Sequence, residues 1–230
     1  MLKVNKLTID YKDGTRAIDT VSFFLKEGEK VALIGANGAG KTSLLLSLVG
    51  VLPRVSGEIY LEEILLEKKV LPQIRSRIGI VFQNPDDQLF MQNIYEDVAY
   101  GPRNLGYDDE ETEKRVSAVL SELGLEHLAE RSPYEISGGD KRLATIATVL
   151  AMEPELLLLD EPTAFLDPRS RRNLIYKLMD LPQGMFIATH DKAFASILCT
   201  RVLLLQNGRL VADEDIELLH DKERLEAAGL

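Results

Sequence analysis

The residues with the clearest chemical capacity are Gly35-Ala36-Asn37-Gly38-Ala39-Gly40-Lys41-Thr42. They follow an apolar run, Val31 to Ile34, and precede TSLLLSLVG, so they read as a loop joining a strand to a helix. That is the setting in which G-x-x-x-x-G-K-[ST] cradles phosphate. Glycines let backbone N–H groups turn inward around phosphate oxygens, and the N-terminus of the following helix adds partial positive charge. Lys41 supplies a mobile cation, and the Thr42 hydroxyl is a ligand of the kind Mg²⁺ takes. The alternative is a glycine-rich turn that binds nothing, and the agreement of the eight-residue pattern with both flanks speaks against it.

A second constellation is Leu156-Leu157-Leu158-Leu159-Asp160-Glu161, an apolar strand ending in two carboxylates. In a parallel sheet this is the edge where ligands are presented. Asp160 suits a Mg²⁺ ion held through water, and Glu161 suits the polarisation of an attacking water. By itself Asp-Glu-Pro caps a strand and starts a turn in many proteins. The phosphate loop tips the reading toward hydrolysis.

These residues need a sheet to position them. Val31 to Ile34, Ile78 to Phe82, Leu156 to Leu159, Phe186 to Ala188 and Val202 to Leu205 are continuous apolar runs, as strands buried on both faces require, and predict an α/β fold with a parallel core sheet. Residues 2 to 10 and 57 to 62 alternate more and predict a small antiparallel sheet beside it. Val116, Val119, Leu120 and Leu123 form one apolar stripe ahead of Gly124, and Leu143, Ile146, Ala147 and Leu150 repeat that spacing, so two helices are expected, the second starting near Ser137. Residues from about 85 to 136 read as an inserted helical lobe extending into that second helix, within a single domain over 1–230. The tail from Asp213 to Leu230 reads as acidic and helix-prone.

Composition narrows the function. With 45% hydrophobic and 28% charged residues the usage is that of a globular protein, which excludes disorder and fibrous repeats. Lysine and arginine total 27 against 37 acids, and the resulting net charge of -10 disfavours broad binding to nucleic-acid backbones. The one cysteine, Cys199, leaves no intrachain disulfide and points to a reducing, cytoplasmic setting. Charges in MLKVNKLTIDYKDG argue against a signal peptide, and Leu44 to Leu52, broken by Ser47 and Gly50, is far short of the ~20 apolar residues that span a bilayer. Work at a membrane would therefore need another chain to hold this one there.

The ordered set formed by the phosphate loop, Gln83 in VFQNPDDQLF, Ser137-Gly138-Gly139, Asp160-Glu161, Leu166-Asp167 and His190 in IATHD resembles the ATP-binding-cassette ATPases over essentially the whole chain. The resemblance implies a P-loop cassette fold and hydrolysis of MgATP. It implies nucleotide contacts from Gly35, Asn37, Gly38, Ala39, Gly40, Lys41, Thr42 and Ser43, with Mg²⁺ held by Thr42, Gln83 and Asp160. Glu161 becomes the catalytic carboxylate, acting with Lys41, and His190 the contact to the γ-phosphate. Gln83 would link metal and water to a loop that senses a transport partner. Tyr11 matches the family's adenine-stacking aromatic, although a tyrosine before Asp13-Gly14 is also an ordinary turn residue. In such proteins two cassettes face head to tail, so that Ser137, Gly138 and Gly139 would meet the partner's γ-phosphate and Leu166-Asp167 would signal across the dimer.

Two positions depart from the family pattern: Asp140 stands where glutamine is usual and Leu143 where arginine is usual. Ser137-x-x-Asp140 keeps a helix-capping pattern, while the added carboxylate is expected to slow hydrolysis or loosen closure. FQNPDDQLF, EDVAYGPRNLG and LLHDKERLEAAGL are similar to the cobalt/nickel and energy-coupling-factor importer ATPases. That likeness implies a peripheral protein at the cytoplasmic face of the membrane, a second ATPase subunit in a homodimer or heterodimer, a membrane coupling subunit seated on the helical lobe and a substrate-binding membrane subunit. Two alternatives stand beside it. One is a soluble cassette that remodels DNA or ribosomes, disfavoured by charge and by the lack of coiled-coil or second-cassette segments. The other is a catalytically weak partner cassette, which Asp140 favours and Glu161 with His190 disfavour.

Overall fold

A computed structural model describes residues 1–230. The chain runs through β1 (Leu2–Asp10), β2 (Arg16–Leu25), β3 (Lys30–Ile34), α1 (Lys41–Leu48), β4 (Ser56–Leu61), β5 (Ile64–Leu65), α2 (Leu71–Arg77) and β6 (Ile78–Val81). It continues with α3 (Ile94–Asn104), α4 (Asp109–Leu123), α5 (Gly138–Leu150), β7 (Leu156–Asp160), α6 (Pro168–Asp180) and β8 (Gly184–Thr189). The last elements are α7 (Lys192–Leu198), β9 (Arg201–Gln206), β10 (Arg209–Asp215) and α8 (Lys222–Ala227).

Two sheets result: a four-stranded antiparallel sheet in the order β2-β1-β4-β5, and a six-stranded sheet in the order β10-β9-β3-β8-β7-β6. In the latter β9, β3, β8, β7 and β6 are parallel, and β10 pairs antiparallel with β9. All five apolar runs lie in this sheet, and the reason they do not alternate is that both of its faces are covered. Ala32, Ile34, Leu157 and Leu159 face one cluster of 38 buried residues together with α3 to α7. Val31, Leu33, Leu156 and Leu158 face a second cluster of 27, shared with α1 and the antiparallel sheet.

Both expected helices form. Val116, Val119, Leu120 and Leu123 are buried along α4, which ends at Gly124 with φ 77. Ser137 caps α5 by accepting from the Asp140 N–H. Within residues 85–136 the first regular helix begins only at Ile94, after a short 3₁₀ turn at Pro85–Asp87.

β2 and β10 fall outside the strands expected from the sequence. The β1–β2 ladder is irregular, with register shifts around Leu7 and positive φ at Lys6 (46) and Thr20 (56), so the two-residue alternation is reset within each strand. β10 is an edge strand in which only Ala212 is buried. The helix-prone reading of the tail needs correction at its start. Asp213–Asp215 finish β10, where Asp213 pairs with Arg201 at 2.6 Å, and helix appears only as a 3₁₀ turn at Ile216–His220 and α8.

Candidate active site

Parallel pairing decides what meets at the carboxyl edge of the central sheet. Ile34 of β3 is level with Thr189 of β8, Asp160 of β7 with Ala188, and Val81 of β6 with Leu159. The residues that follow each strand, Gly35, Glu161, His190 and Phe82-Gln83, therefore leave the sheet side by side.

Between β3 and α1 the chain turns through Gly40, whose φ is 105 and where a Cβ would stand 2.5 Å from the Ala17 carbonyl oxygen. No other residue type fits that conformation and space. Lys41 opens α1 with its side chain tucked beneath the loop. Nζ donates to the Gly35 carbonyl at 2.8 Å and the Ala36 carbonyl at 3.3 Å, and stands 3.6 Å from Glu161 Oε1. A cleft of about 330 Å³ opens above, lined by Asn37, Gly38, Gly40, Lys41, Thr42 and Ser43, with Tyr11, Gln83 and Glu161 closing its sides. Gly35 contributes through its carbonyl, whereas Ala39 is buried beneath the loop. Tyr11 is a turn residue on the wall of the cleft. It closes the turn to Thr15 through its backbone, and its hydroxyl reaches Ser43 Oγ at 2.5 Å from the cleft wall.

Glu161 has φ 44, a conformation uncommon outside glycine, and it turns the carboxylate back toward β8. Oε2 accepts from Thr189 Oγ1 at 3.1 Å and from the His190 backbone N–H at 3.3 Å, and His190 Nδ1 stands 2.9 Å away. One oxygen is thus fixed by two donors beside the imidazole, and the other faces Lys41. The His190 side chain is 62% exposed, so the ring edge away from Nδ1 is open to a ligand. Below, Thr189 Oγ1 also accepts from the Asp191 N–H at 3.0 Å, and Asp191 is gripped by Arg171 at 2.8 and 3.0 Å. Burial pushes the Asp191 carboxyl up, but Arg171, the Phe194 N–H and Thr163 together hold it below the usual range.

Thr42 Oγ1 donates to Asp160 Oδ2 at 2.7 Å, while the buried Asp160 Oδ1 has no partner. Burial pushes this carboxyl upward, Thr42 pulls it down, and the neighbouring Glu161 charge pushes it up again, with a net rise. An orphaned carboxylate oxygen beside a hydroxyl is a hard-oxygen donor set that fits Mg²⁺. No group of three carboxylate, imidazole or thiolate residues gathers to hold a metal, so such an ion would draw its remaining ligands from phosphate oxygens and water.

Ser137, Gly138 and Gly139 do not line this cleft; they stand at the N-terminus of α5. Ser137 Oγ accepts from the Asp140 N–H at 3.2 Å, the cap that the sequence spacing implied, and donates to Asp140 Oδ2 at 2.7 Å. Three residues close to the site escaped the sequence reading. Thr189 stands beside His190, and only its level with Ile34 reveals its reach. Gln88 accepts from the Phe82 N–H and donates to Thr145 O and Thr148 Oγ1. Arg142, one position before the Leu143 that stands in an arginine's place, is buried against the Phe82 and Gln83 carbonyls.

Comparison with known proteins agrees with this geometry. The family model described as ABC transporter matches residues 18–164. The energy-coupling factor transporter ATP-binding protein EcfA of Methanothermobacter thermautotrophicus is 41% identical over 236 residues, covering 100% of this chain and 76% of the relative. Among solved structures, cbiO1 from Clostridium perfringens, described as part of the ABC transporter complex cbiONQ, superposes with a TM-score of 0.87 at 36% identity, covering 97% of this chain and 92% of that one. The ATP-binding cassette MJ0796, a dimer in a post-hydrolysis state bound to ADP and Pi, gives a TM-score of 0.84 at 29% identity, covering 94% and 99%. A phosphate loop, an acidic strand end and a histidine bonded to the glutamate, in a fold shared along the full chain with such cassettes, make this chain a member of the ABC transporter family of ATP-binding, ATP-hydrolysing subunits.

Proposed function

We propose that this chain is the ATP-hydrolysing subunit of an energy-coupling-factor-type importer for cobalt or nickel ions or vitamins. In this reading it is one ATPase domain over its 230 residues, peripheral to the cytoplasmic face of a membrane. It pairs with a second ATPase subunit, a copy of itself or a relative, and works with a membrane coupling subunit and a substrate-binding membrane subunit. The observation that carries the chemistry is the contact of Glu161 with both Lys41 and His190 at the rim of the phosphate-loop cleft.

Lys41 exchanges the Gly35 and Ala36 carbonyls and Glu161 for the β- and γ-phosphates of ATP. Glu161 Oε1, freed from the lysine, accepts a hydrogen bond from the attacking water and takes its proton as the water oxygen bonds the γ-phosphorus and the bond to the β–γ bridging oxygen breaks, releasing ADP and phosphate. Oε2 stays fixed by Thr189 and His190, so the accepting oxygen is held in place. Thr42, Asp160 and Gln83 are the residues that would hold Mg²⁺, which when bound neutralises charge on the phosphates. Asn37, Gly38, Gly40 and Ser43 surround the phosphates, Tyr11 stacks on the base, and Ser137, Gly138 and Gly139 meet the nucleotide of the second ATPase subunit.

The importer part of the reading draws on the likeness to EcfA and cbiO1 and on a groove of about 480 Å³ between α2, β6, α3 and α5. Phe82, Phe90, Tyr100, Leu105 and Met152 line its walls. Its apolar lining suits an amphipathic helix of a membrane coupling subunit. No helix is long and apolar enough to cross a membrane, so attachment in this reading runs through that groove.

The deciding experiment is gentle extraction of membranes from cells carrying the tagged chain, followed by identification of what co-purifies. Small polytopic membrane proteins without a second ATPase would support the homodimeric metal importer, and a related ATPase alongside them the heterodimeric vitamin module. Recovery from soluble fractions alone, with no membrane partner, would sink the transport reading.

A further inference from the structure

The arginine that the sequence lacks at position 143 has a counterpart one residue earlier, on a different face of α5. Leu143 packs into the helical core, while the Arg142 side chain turns toward the end of β6 and is only 1% exposed. One terminal nitrogen donates to the Phe82 carbonyl at 2.7 Å and the other to the Gln83 carbonyl at 2.5 Å. The two bonds engage successive peptide units, so they fix the path of the backbone and not one atom alone. Gln83 is one of the residues that line the nucleotide cleft with Lys41 and Thr42.

This placement is costly for a residue with only a packing role. No carboxylate pairs with the guanidinium, and its buried Nε has no acceptor. Burial pushes its pKa down to about 10, with Asp160 the charge that opposes the fall. An apolar side chain of the same length would fill the space without desolvating a charge. What it could not supply is a planar pair of donors for two adjacent carbonyls. Neighbouring contacts make the 82–88 segment follow α5: Lys141 binds Asp86 at 2.7 Å, and Gln88 binds Thr145 and Thr148. Among these, only Arg142 acts on Gln83 itself.

We propose that Arg142 is a positioning residue of the ATPase reaction: from the helix opened by Ser137-Gly138-Gly139, its guanidinium sets the Phe82–Gln83 backbone so that Gln83 faces the Mg²⁺–phosphate end of the cleft. The proposal rests on reading Gln83 as a nucleotide-site residue. Because Ser137 caps α5, it also gives a direct mechanical link, five residues long, between that segment and the Phe82–Gln83 loop.

The test measures binding of a fluorescent ATP analogue to the purified full chain, with and without Mg²⁺, in wild type, Arg142→Met, Arg142→Lys and Gln83→Ala. Arg142→Met should leave Mg²⁺-free affinity and melting temperature near wild type. The tightening produced by Mg²⁺ should fall about tenfold, the scale on which outer-shell partners of a metal site act. The turnover number should drop as well, and KM for MgATP should rise by about the same tenfold, because substrate release outpaces the chemical step. Lysine, with one point donor, should recover part of the tightening. Arg142→Met added to Gln83→Ala should cost nothing more, since both act through one residue. Wild-type Mg²⁺ tightening in Arg142→Met, or equal losses with and without Mg²⁺, would overturn the proposal. If the methionine variant does not fold, undiminished tightening in Arg142→Lys would do so. Undiminished tightening in Gln83→Ala would instead remove the reading of Gln83 on which the proposal stands.

Discussion

Glu161→Gln is the substitution whose consequences follow most directly from the contacts of the site. Two donors, Thr189 Oγ1 and the His190 backbone N–H, converge on Oε2, so a glutamine places its amide oxygen there and its NH₂ toward Lys41. The 3.6 Å attraction between Lys41 and Glu161 is then replaced by an encounter of donors. At that separation and an effective dielectric of 20 the gross Coulomb attraction is about 4–5 kcal/mol. Desolvation of both groups offsets most of it, and the net is about 1–2 kcal/mol. Nucleotide must detach Lys41 from Glu161 to use it, so removing that competition tightens binding by the same amount, roughly 5- to 30-fold.

ADP separates this effect from the loss of repulsion between Glu161 and a γ-phosphate, because ADP has none. We expect both ADP and ATP to bind Glu161→Gln more tightly by calorimetry without Mg²⁺, with ATP gaining somewhat more. Turnover should fall by at least about 100-fold, since the amide cannot take the proton from water. Unchanged ADP affinity beside tighter ATP binding would refute the competition argument and leave only charge repulsion.

Asp160→Asn tests the unpartnered carboxylate. Its pKa is raised in the folded protein, so the ionised form costs stability, a cost that grows as pH rises from the unfolded carboxylate value near 4 through the folded value. The variant should therefore melt higher than wild type at pH 7, with the difference closing as pH falls below about 4, while Mg²⁺-dependent turnover is lost; equal melting at both pH values would contradict the buried-charge account. Lys41→Ala removes a charged donor to phosphate, about 3 kcal/mol or more, and should weaken ATP binding at least about 100-fold by the same calorimetry. Asp140→Gln removes a charge from the segment that would meet the partner's nucleotide and frees the Ser137 hydroxyl from its 2.7 Å bond. In the Glu161→Gln background the ATP-dependent dimer, followed by light scattering after size exclusion, should tighten by about 1–2 kcal/mol over two sites, roughly 5- to 30-fold; no change would clear Asp140 of any restraining role.

How much of this was legible in the sequence depends on the distance over which each feature is encoded. Gly35 to Thr42 is a local signal, because loop, cation and helix start are consecutive, and Leu156 to Glu161 is similarly self-contained. The central strands were legible because residues buried on both faces leave no polar gaps. β2 was not, since Thr20 interrupts its period, and β10 was not, since an edge strand has one buried residue. Thr189, Gln88 and Arg142 act through contacts 28, 57 to 60 and 59 to 60 residues away in sequence. No window of neighbouring residues contains such pairs. Arg142 was hidden further by its own register, since an arginine was sought at 143, and a helix turns by 100° between the two positions.

The same register argument explains why so few residues suffice for the site. Gly35, Gln83, Glu161 and His190 each lie one or two residues beyond a strand of the parallel sheet, and neighbouring strands in such a sheet are about 4.8 Å apart. A one-residue slip of any strand would send its polar terminus to the opposite face, and the two apolar clusters prevent that by burying alternate residues of every strand on both sides. The helical lobe is tied to this frame at Gly79, where a Cβ would stand 1.9 Å from Val149 Cγ1. Glycine at that point of β6 lets α5 lie against the strand. The Arg142 guanidinium, nearly two turns earlier on the helix, thereby comes within reach of the Phe82 and Gln83 carbonyls. Packing at one end of α5 thus fixes where Arg142 meets the Phe82–Gln83 backbone near the other, on the same helix that Ser137 caps.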